Sequence, residues 1–150
     1  SEQTRLRFAQ TPWGEVEPIS RFFRLHPNKP ANTLRAGTGA DRGAFSAPRP
    51  IHYRYPRCIT VREAQRLHGY PDWFRMHRTK WHGFRQVGNS VPPPLAHAVA
   101  AQVVKAMALS PVKPRQPMDL PHDHVLSMDM TAATAYWGLD RSDFSGRIKK

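Results

Sequence analysis

The stretch RQVGNSVPPPLAHAV, residues 85–99, combines a polar turn with a helix start, an arrangement that can bind an anion. Gly88 and Asn89 adopt positive φ at little cost, so a loop here can turn sharply and direct its N–H groups forward. Three prolines follow, and proline is tolerated in a helix only in the first turn. The stretch therefore predicts either an anion-binding turn before a helix or an ordinary turn capped by Ser90.

The helix that positions this turn is indicated by an apolar stripe. Apolar residues recur every four positions, at Leu95, Val99, Val103 and Met107. This spacing places them on one face of a helix. It predicts a helix from Pro92 to Ala108.

A second helix is indicated upstream by a capping box. Thr60 and Glu63 have the Thr-x-x-Glu spacing, in which each side chain satisfies a free N–H group of the first turn. The helix is predicted to begin at Val61 and to end at Gly69, which suits a left-handed C-terminal residue; Pro71 prevents its continuation.

The remaining sequence is less regular. Residues 1–56 hold strand-like pieces (RLRF, ISRFFRL and IHYRY) between prolines and glycines, which predicts an irregular, β-leaning region. Between Asp72 and Phe84, aromatic and basic residues alternate, and this pattern suits either a nucleic-acid surface or buried aromatics under solvated charges. A short helix is predicted at residues 131–139.

Charge and residue types narrow the class of partner. The chain has 23 Lys and Arg against 11 Asp and Glu, a formal net charge of +12. The excess peaks at residues 54–85, where eight basic residues face two acidic ones, a net +6. Such a charge favours a polyanionic partner, and nucleic acid is the leading expectation.

Several other kinds of site are excluded by the same inventory. The single cysteine, Cys58, rules out an internal disulfide framework and a thiolate zinc site. The eight histidines show no HxxxH or HExxH pair, so no metal site is predicted. No apolar run is long enough for a signal core or a membrane span, which favours an intracellular protein.

Two motifs together carry a resemblance to a known family. RCITVREAQRLHGYPDWF (57–74) and RQVGNSVPPPLAHAVA (85–100) closely resemble, in order and spacing, the last two sequence motifs of the DNA cytosine-5 methyltransferases. KPANTLRAGTGADRGAFSAPRPIHY (29–53) is similar to the end of that family's target-recognition region. The resemblance implies an α+β chain, an incomplete piece of a Rossmann-like S-adenosylmethionine-dependent methyltransferase fold in which an irregular recognition region precedes helices.

The resemblance also implies three segments. Residues 1–56 would end the target-recognition region, residues 57–109 would complete the catalytic domain, and residues 110–150 would form a linker and tail with a short helix.

Site residues follow from the same resemblance. It implies S-adenosylmethionine contacts by Asn89, Ser90, Val91 and Tyr70, and places Thr33 and Leu34 near a flipped base. Phosphate contacts are expected from four arginines: Arg35, Arg42, Arg49 and Arg54. Internal ion pairs of Arg57, Arg62 and Glu63, beside the Thr60 cap, are expected to tie the recognition region to the helix.

The chemistry of the family needs groups that this chain does not contain. The family's nucleophile lies in a Pro-Cys dipeptide, whereas Cys58 stands where an aliphatic residue is usual, and neither Glu-Asn-Val nor Phe-x-Gly-x-Gly is present. We therefore expect a C-terminal part or small subunit of a restriction-modification methyltransferase, inactive alone, that contributes DNA target recognition and part of the S-adenosylmethionine pocket. The resemblance implies that it acts on double-stranded DNA in a prokaryotic cytoplasm, completed by a larger catalytic subunit or a missing N-terminal part. The alternative is a non-catalytic DNA-binding module or remnant, in which DMTAATAYWGLDRSDF begins a helix-turn-helix.

Overall fold

The computed structural model describes residues 1–38, 49–113, 115–116 and 122–140. The chain divides into two compact units, Ser1–Pro111 and Val112–Lys150. The first unit contains α1 (Glu2–Gln10), α2 (Val61–Leu67), α3 (Lys80–Asn89) and α4 (Pro93–Ala106). The second contains a short 3-10 helix (Asp123–Ser127) and α5 (Met130–Trp137). No helix in these ranges is long and apolar enough to cross a membrane.

Between α1 and α2 the described backbone pairs only at isolated positions. Phe23 bridges Val16, Arg24 bridges Ile51, and Ile51 also bridges Cys58. The pieces ISRFFRL and IHYRY therefore contribute single bridges. The expected β-leaning region is present in this limited form.

The N-terminal piece RLRF was predicted to be strand-like, and that prediction was wrong, because it lies inside α1. Tertiary contacts hold this helix. Phe8 is buried, and the guanidinium of Arg24 donates to the carbonyls of Ala9 and Thr11 at 2.9 and 2.6 Å. A four-residue piece shows no helical period, so this helix could not be recognised from the pattern.

A buried carboxylate joins α1 to the loop that follows. Glu17 is almost fully buried and accepts from the N–H groups of Ser20 and Ile19, while Arg7 Nε lies 3.2 Å from its Oε1. The hydrogen bonds from Ser20 lower the pKa of Glu17, so it stays ionised.

The predicted α2 is confirmed together with its capping box. Thr60 accepts from the N–H of Glu63, and the Glu63 carboxylate accepts from the N–H of Thr60. Gly69 has φ +77° after the helix, as expected for a left-handed terminal residue. The Arg57 guanidinium adds a bidentate pair to Glu63, with both N···O distances at 2.8 Å.

The GNS stretch is a helix end, which corrects the expected turn. Gly88 and Asn89 lie in α3 without positive φ. Ser90 caps the C-terminus of α3, since its hydroxyl donates to the carbonyl of Val87 at 2.7 Å. The buried face of α3 joins Phe84, from the mixed aromatic and basic stretch, to Val87, from the predicted turn, so the sequence analysis divided this helix between two patterns and missed it.

The core forms where α2 and α3 pack together over the preceding chain. Its buried members come from α2, α3 and three earlier segments: Leu25, Leu34, Ile59, Ala64, Phe84 and Val87. Of the aromatic residues left open between two interpretations, Phe84 and Trp81 join this core, while Trp73 is two-thirds exposed. The buried interpretation therefore holds for Phe84 and Trp81, whereas a nucleic-acid contact by Trp73 stays a prediction.

The predicted helix α4 is confirmed, but its apolar stripe is not covered. Leu95, Val99, Val103 and Met107 are 54%, 55%, 49% and 62% exposed, and none of the helix is buried. This spacing is typical of a buried helix face, whereas here the stripe is about half exposed.

The Glu63 network generates a prediction about stability and pH. The Arg57 guanidinium lowers the pKa of Glu63 from 4.5 to about 2. Because the folded pKa is depressed, the ionised carboxylate stabilises the fold above pH 4.5, and this contribution declines as the pH falls towards 2. Glu63→Gln should lower the free energy of unfolding in urea by about 1–2 kcal/mol at pH 7, since both partners are partly exposed.

The difference between wild type and Glu63→Gln should shrink steadily between pH 4.5 and 2. The matched control is Glu15→Gln, which alters an exposed carboxylate. A difference that stayed constant over this range would contradict the assignment.

Candidate functional site

The end of α3 brings together two sets of residues that the sequence analysis treated separately. The segment that holds Thr33, Leu34 and Arg35 crosses the last turn of α3 at Gly88, where a Cβ would lie 2.5 Å from the carbonyl carbon of Arg35. Thr33 and Arg35 are exposed, whereas Leu34 is buried in the core. The expected DNA-facing residues therefore sit beside the expected cofactor residues.

Asn89 is the exposed polar side chain at this junction. Ser90 is half-buried, and both its N–H and its hydroxyl donate to the carbonyl of Val87. Asn89 can therefore offer an amide donor to a ligand, while Ser90 offers only the lone pairs of its hydroxyl oxygen.

The start of α4 is a poorer anion site than a usual helix N-terminus. Pro93 and Pro94 occupy its first two positions and have no N–H, so Leu95 is the first residue of the helix with a donor. The N–H of Ala96 is already bonded to the carbonyl of Pro92. Binding of a carboxylate here would depend on the Asn89 side chain more than on backbone amides.

The loop after α2 reaches the same place through Gly69. A Cβ at Gly69 would lie 2.8 Å from Cγ of Pro94, so the loop packs directly on the start of α4. Tyr70 follows in this loop, half-buried, with its ring centroid 4.8 Å from that of Phe74. The contact between Gly69 and Pro94 therefore brings the loop that carries Tyr70 to the start of α4, just after Asn89, Ser90 and Val91 in the sequence.

Polar contacts from α2 hold this loop in position. Arg66 forms a bidentate pair with Asp72 at 2.8 and 2.7 Å, and its guanidinium lowers the pKa of that carboxyl. Arg62 and Gln65 both donate to the carbonyl of Phe74, at 3.0 and 3.2 Å. Arg62 thus secures the loop by a hydrogen bond to a carbonyl in place of the expected ion pair.

The four arginines expected at phosphates differ in their surroundings. Arg35 and Arg54 are exposed, and Arg54 stacks on the ring of Tyr55 at 5.8 Å. Arg49 is half-buried with its guanidinium over Phe22. Arg42 lies outside the described residues.

Sequence reasoning missed the role of His52. Its ring lies against Tyr53 and Tyr55 at 4.6 and 4.9 Å, and its Nδ1 accepts from the N–H groups of Arg54 and Tyr55 at 2.9 and 3.2 Å. Burial lowers the pKa of His52, which keeps Nδ1 an acceptor. In the sequence, the alternation of rings around Arg54 in His52-Tyr53-Arg54-Tyr55 could have indicated this cluster. The ring shapes the loop that presents Arg54.

Cys58 has the surroundings of a structural thiol. It is half-buried, and desolvation raises the pKa of its Sγ, so the reactive thiolate is disfavoured. Within the described ranges, no group of three His, Cys, Asp or Glu residues could hold a metal ion.

Comparison with known proteins agrees with the motifs. The sequence model of the C-5 cytosine-specific DNA methylase family matches residues 5–105. The chain is 54% identical over 149 residues to the type II methyltransferase M.XorII of Xanthomonas oryzae pv. oryzae, covering 99% of this chain and 35% of that protein. It is 45% identical over 59 residues to DNA (cytosine-5)-methyltransferase 2 of Arabidopsis thaliana, covering 39% of this chain and 4% of that protein.

A solved structure is similar as well. It is described as a DNA modification methyltransferase encoded within a prophage (E. coli), and it matches with a TM-score of 0.61 and 44% identity over 72% of this chain and 27% of that one. The matching part of the chain therefore belongs to a methyltransferase fold, and the chain spans about a third or less of the length of these proteins.

With the family match spanning most of the first unit and identity to a relative extending over nearly the whole length, this chain belongs to the C-5 cytosine-specific DNA methylase family.

Proposed function

We propose that this chain supplies target recognition on DNA and one wall of the S-adenosylmethionine pocket of a cytosine-5 methyltransferase. The groups that perform the chemistry would come from the part that corresponds to the rest of the longer relatives. The observation that carries the proposal is the convergence of three segments at the junction of α3 and α4: Thr33–Arg35, the loop that carries Tyr70, and Asn89–Val91.

The donor set at this junction fits the methionine end of the cofactor. The amide of Asn89 would donate to its carboxylate, and the ring of Tyr70 would give an apolar wall beside it. S-adenosylmethionine supplies the methyl group when bound, while Asn89, Ser90, Val91 and Tyr70 bind and orient it. Cys58 takes no part, because its thiol is protonated and structural.

The DNA side of the proposal depends on the exposed arginines. Extruding a cytosine from the duplex requires a surface that grips the backbone while a separate pocket receives the base. Arg35 and Arg54 are exposed and would contact phosphates, and Thr33, two residues before Arg35, is exposed as well. Arg49 is better placed to hold the fold through Phe22 than to reach a phosphate.

The exposed stripe of α4 would be the joint to the catalytic part. Four aliphatic or thioether side chains on one helical face are about half exposed. Burying them against the longer part of the enzyme would be favourable by about 25 cal/mol per Å² of apolar surface. We place the assembled enzyme with its DNA in a prokaryotic cytoplasm.

A non-catalytic DNA-binding module is the second candidate. The observation that favours it is α5, which is capped by Asp129 and ends at Gly138 with φ +62°, as the first helix and turn of a helix-turn-helix would. The family match ends at residue 105, so this tail lies outside it.

Complementation tests the division of labour. The chain alone should transfer no tritiated methyl group from S-adenosylmethionine to unmethylated genomic DNA, and transfer should appear when the part that corresponds to the rest of M.XorII is added. Val103→Glu should abolish complementation, since it places a charge in the proposed joint. The variant should keep the circular dichroism of the wild type, because Val103 is half exposed.

The matched control for this assay is Lys105→Glu on the same helix. Transfer by the chain alone would overturn the proposal, and failure of complementation by a folded wild-type chain would favour the DNA-binding module.

Salt dependence tests the DNA contacts. The chain should bind duplex DNA with an affinity that falls steeply with salt, because most of the free energy comes from released counterions. Arg35→Ala and Arg54→Ala should each reduce the slope of log K against log salt by about 1.

The control for the slope is Arg66→Ala, which removes a guanidinium already paired with Asp72. Fluorescence anisotropy from low to moderate salt measures all three variants. An unchanged slope in both Arg35→Ala and Arg54→Ala would contradict the assignment.

Asn89→Ala tests the cofactor contact in the complemented enzyme. Loss of a hydrogen bond to a charged group should weaken S-adenosylmethionine binding by about ten- to a hundredfold. DNA affinity should change little, and α3 should remain, since Asn89 is its last residue. Calorimetry measures the cofactor affinity, with Asn28→Ala as an exposed control. Equal cofactor affinity in wild type and Asn89→Ala would show that GNS serves only as a helix end.

A further inference from the structure

Three contacts hold residues 33–38, the recognition segment, on α3. Leu34 is buried with Phe84 and Val87 in the core. The indole Nε1 of Trp81 donates to the carbonyl of Thr38 at 3.1 Å. The third contact is the approach of the peptide between Arg35 and Ala36 to Gly88.

The approach at Gly88 leaves no room for a side chain. A Cβ there would lie 2.5 Å from both the carbonyl carbon of Arg35 and the nitrogen of Ala36, and 2.7 Å from the Cα of Ala36. These are backbone atoms, so no rotation of a side chain can relieve the overlap. The recognition segment itself would have to move away from α3.

Helix conformation does not explain a glycine at this position. Gly88 lies in α3 without positive φ, and glycine costs a helix interior about 1 kcal/mol relative to alanine. If the local helix were all that mattered, alanine would be the more stable choice. The close approach is therefore the physical reason for the glycine.

We propose that Gly88 is a positioning residue that sets how closely the recognition segment lies to the cofactor residues. Thr33 and Arg35 belong to the segment that touches Gly88. Asn89, the last residue of α3, and its cap Ser90 follow Gly88 directly in the sequence. A Cβ at Gly88 would push the recognition segment away from α3, while the side chain of Asn89 is not itself altered. This inference rests on the proposed function, because it assigns DNA to one side of the contact and S-adenosylmethionine to the other.

The geometric part is tested on the chain by NMR. In Gly88→Ala, the recognition segment should lift, and the indole N–H of Trp81 should lose its bond to the carbonyl of Thr38. Its proton resonance, assigned with Trp81→Phe, should shift upfield, as expected for a weakened hydrogen bond. Circular dichroism should still show α3. An unshifted indole resonance in a folded Gly88→Ala chain would overturn the proposal.

The matched control makes the same substitution elsewhere in α3. In Gly83→Ala, a Cβ would meet the carbonyl oxygen of His77 at 2.6 Å and Cγ1 of Val61 at 2.7 Å, so it disturbs the packing on α2 and leaves the recognition segment in place. It should lower the melting temperature and leave the indole resonance of Trp81 near its wild-type position.

The functional part is tested in the complemented enzyme with genomic DNA. Gly88→Ala should raise the KM for DNA and lower kcat, together by about a hundredfold in kcat/KM, because a displacement near 1 Å costs that much at a reacting centre. Its dissociation constant for S-adenosylmethionine should stay within about twofold of wild type, since the Asn89 hydrogen bond is kept. Equal losses for DNA and for cofactor would overturn the proposal.

A second variant keeps the test decisive if Gly88→Ala fails to fold. Trp81→Phe removes the bond to Thr38 and keeps an aromatic ring, and it should raise the KM for DNA in the same direction by a smaller factor. An unchanged KM in Trp81→Phe, with no folded Gly88→Ala, would overturn the proposal. The two proposals fail separately: an unchanged cofactor affinity in Asn89→Ala removes the cofactor assignment, whereas the indole shift reports the geometry alone.

Discussion

The packing of α3 against α2 and against the chain around Leu34 positions the residues of the candidate site. Phe84 and Val87 project from α3 into this core, and Ala64 meets them from α2. Because the interior is close-packed, the two helices and the segment over them have one arrangement. That arrangement sets the position in space of the last turn of α3, and with it the positions of Asn89 and Ser90.

Charged groups add precision at the edges of this core. Glu63 joins the cap of α2 to Arg57, and Arg66 with Asp72 joins α2 to the loop of Tyr70. Both pairs are bidentate, which restricts orientation more strongly than a single hydrogen bond. The aromatic loop at Tyr70 is therefore held from α2, while its glycine rests on α4.

The same unit leaves the apolar face of α4 exposed. The apolar residues of α4 have the spacing that is typical of a buried helix face, but their side chains are about half exposed. A helix with such a face gains stability by packing rather than by propensity alone. The chain also spans only 35% of M.XorII and 27% of the similar solved structure. These two facts are the basis of the proposal that this face packs against the remaining part of a longer methyltransferase.

Local signals in the sequence determined the features that depend on neighbouring residues. The capping box at Thr60 and Glu63, the left-handed Gly69 and the prolines at the start of α4 each act within one or two turns, so α2 and α4 were placed correctly. The two motifs likewise led to the correct family.

Contacts between distant residues decided the rest. Helix α1 depends on Arg24 and Phe22, and α3 depends on a buried face hidden among basic residues. Gly88 looks like a turn glycine until the peptide of Arg35 and Ala36 is seen to lie on it. Sequence patterns indicate the conformation of neighbouring residues. The close approach of Arg35 to Gly88, about 50 residues further along the chain, depends instead on how the whole core packs.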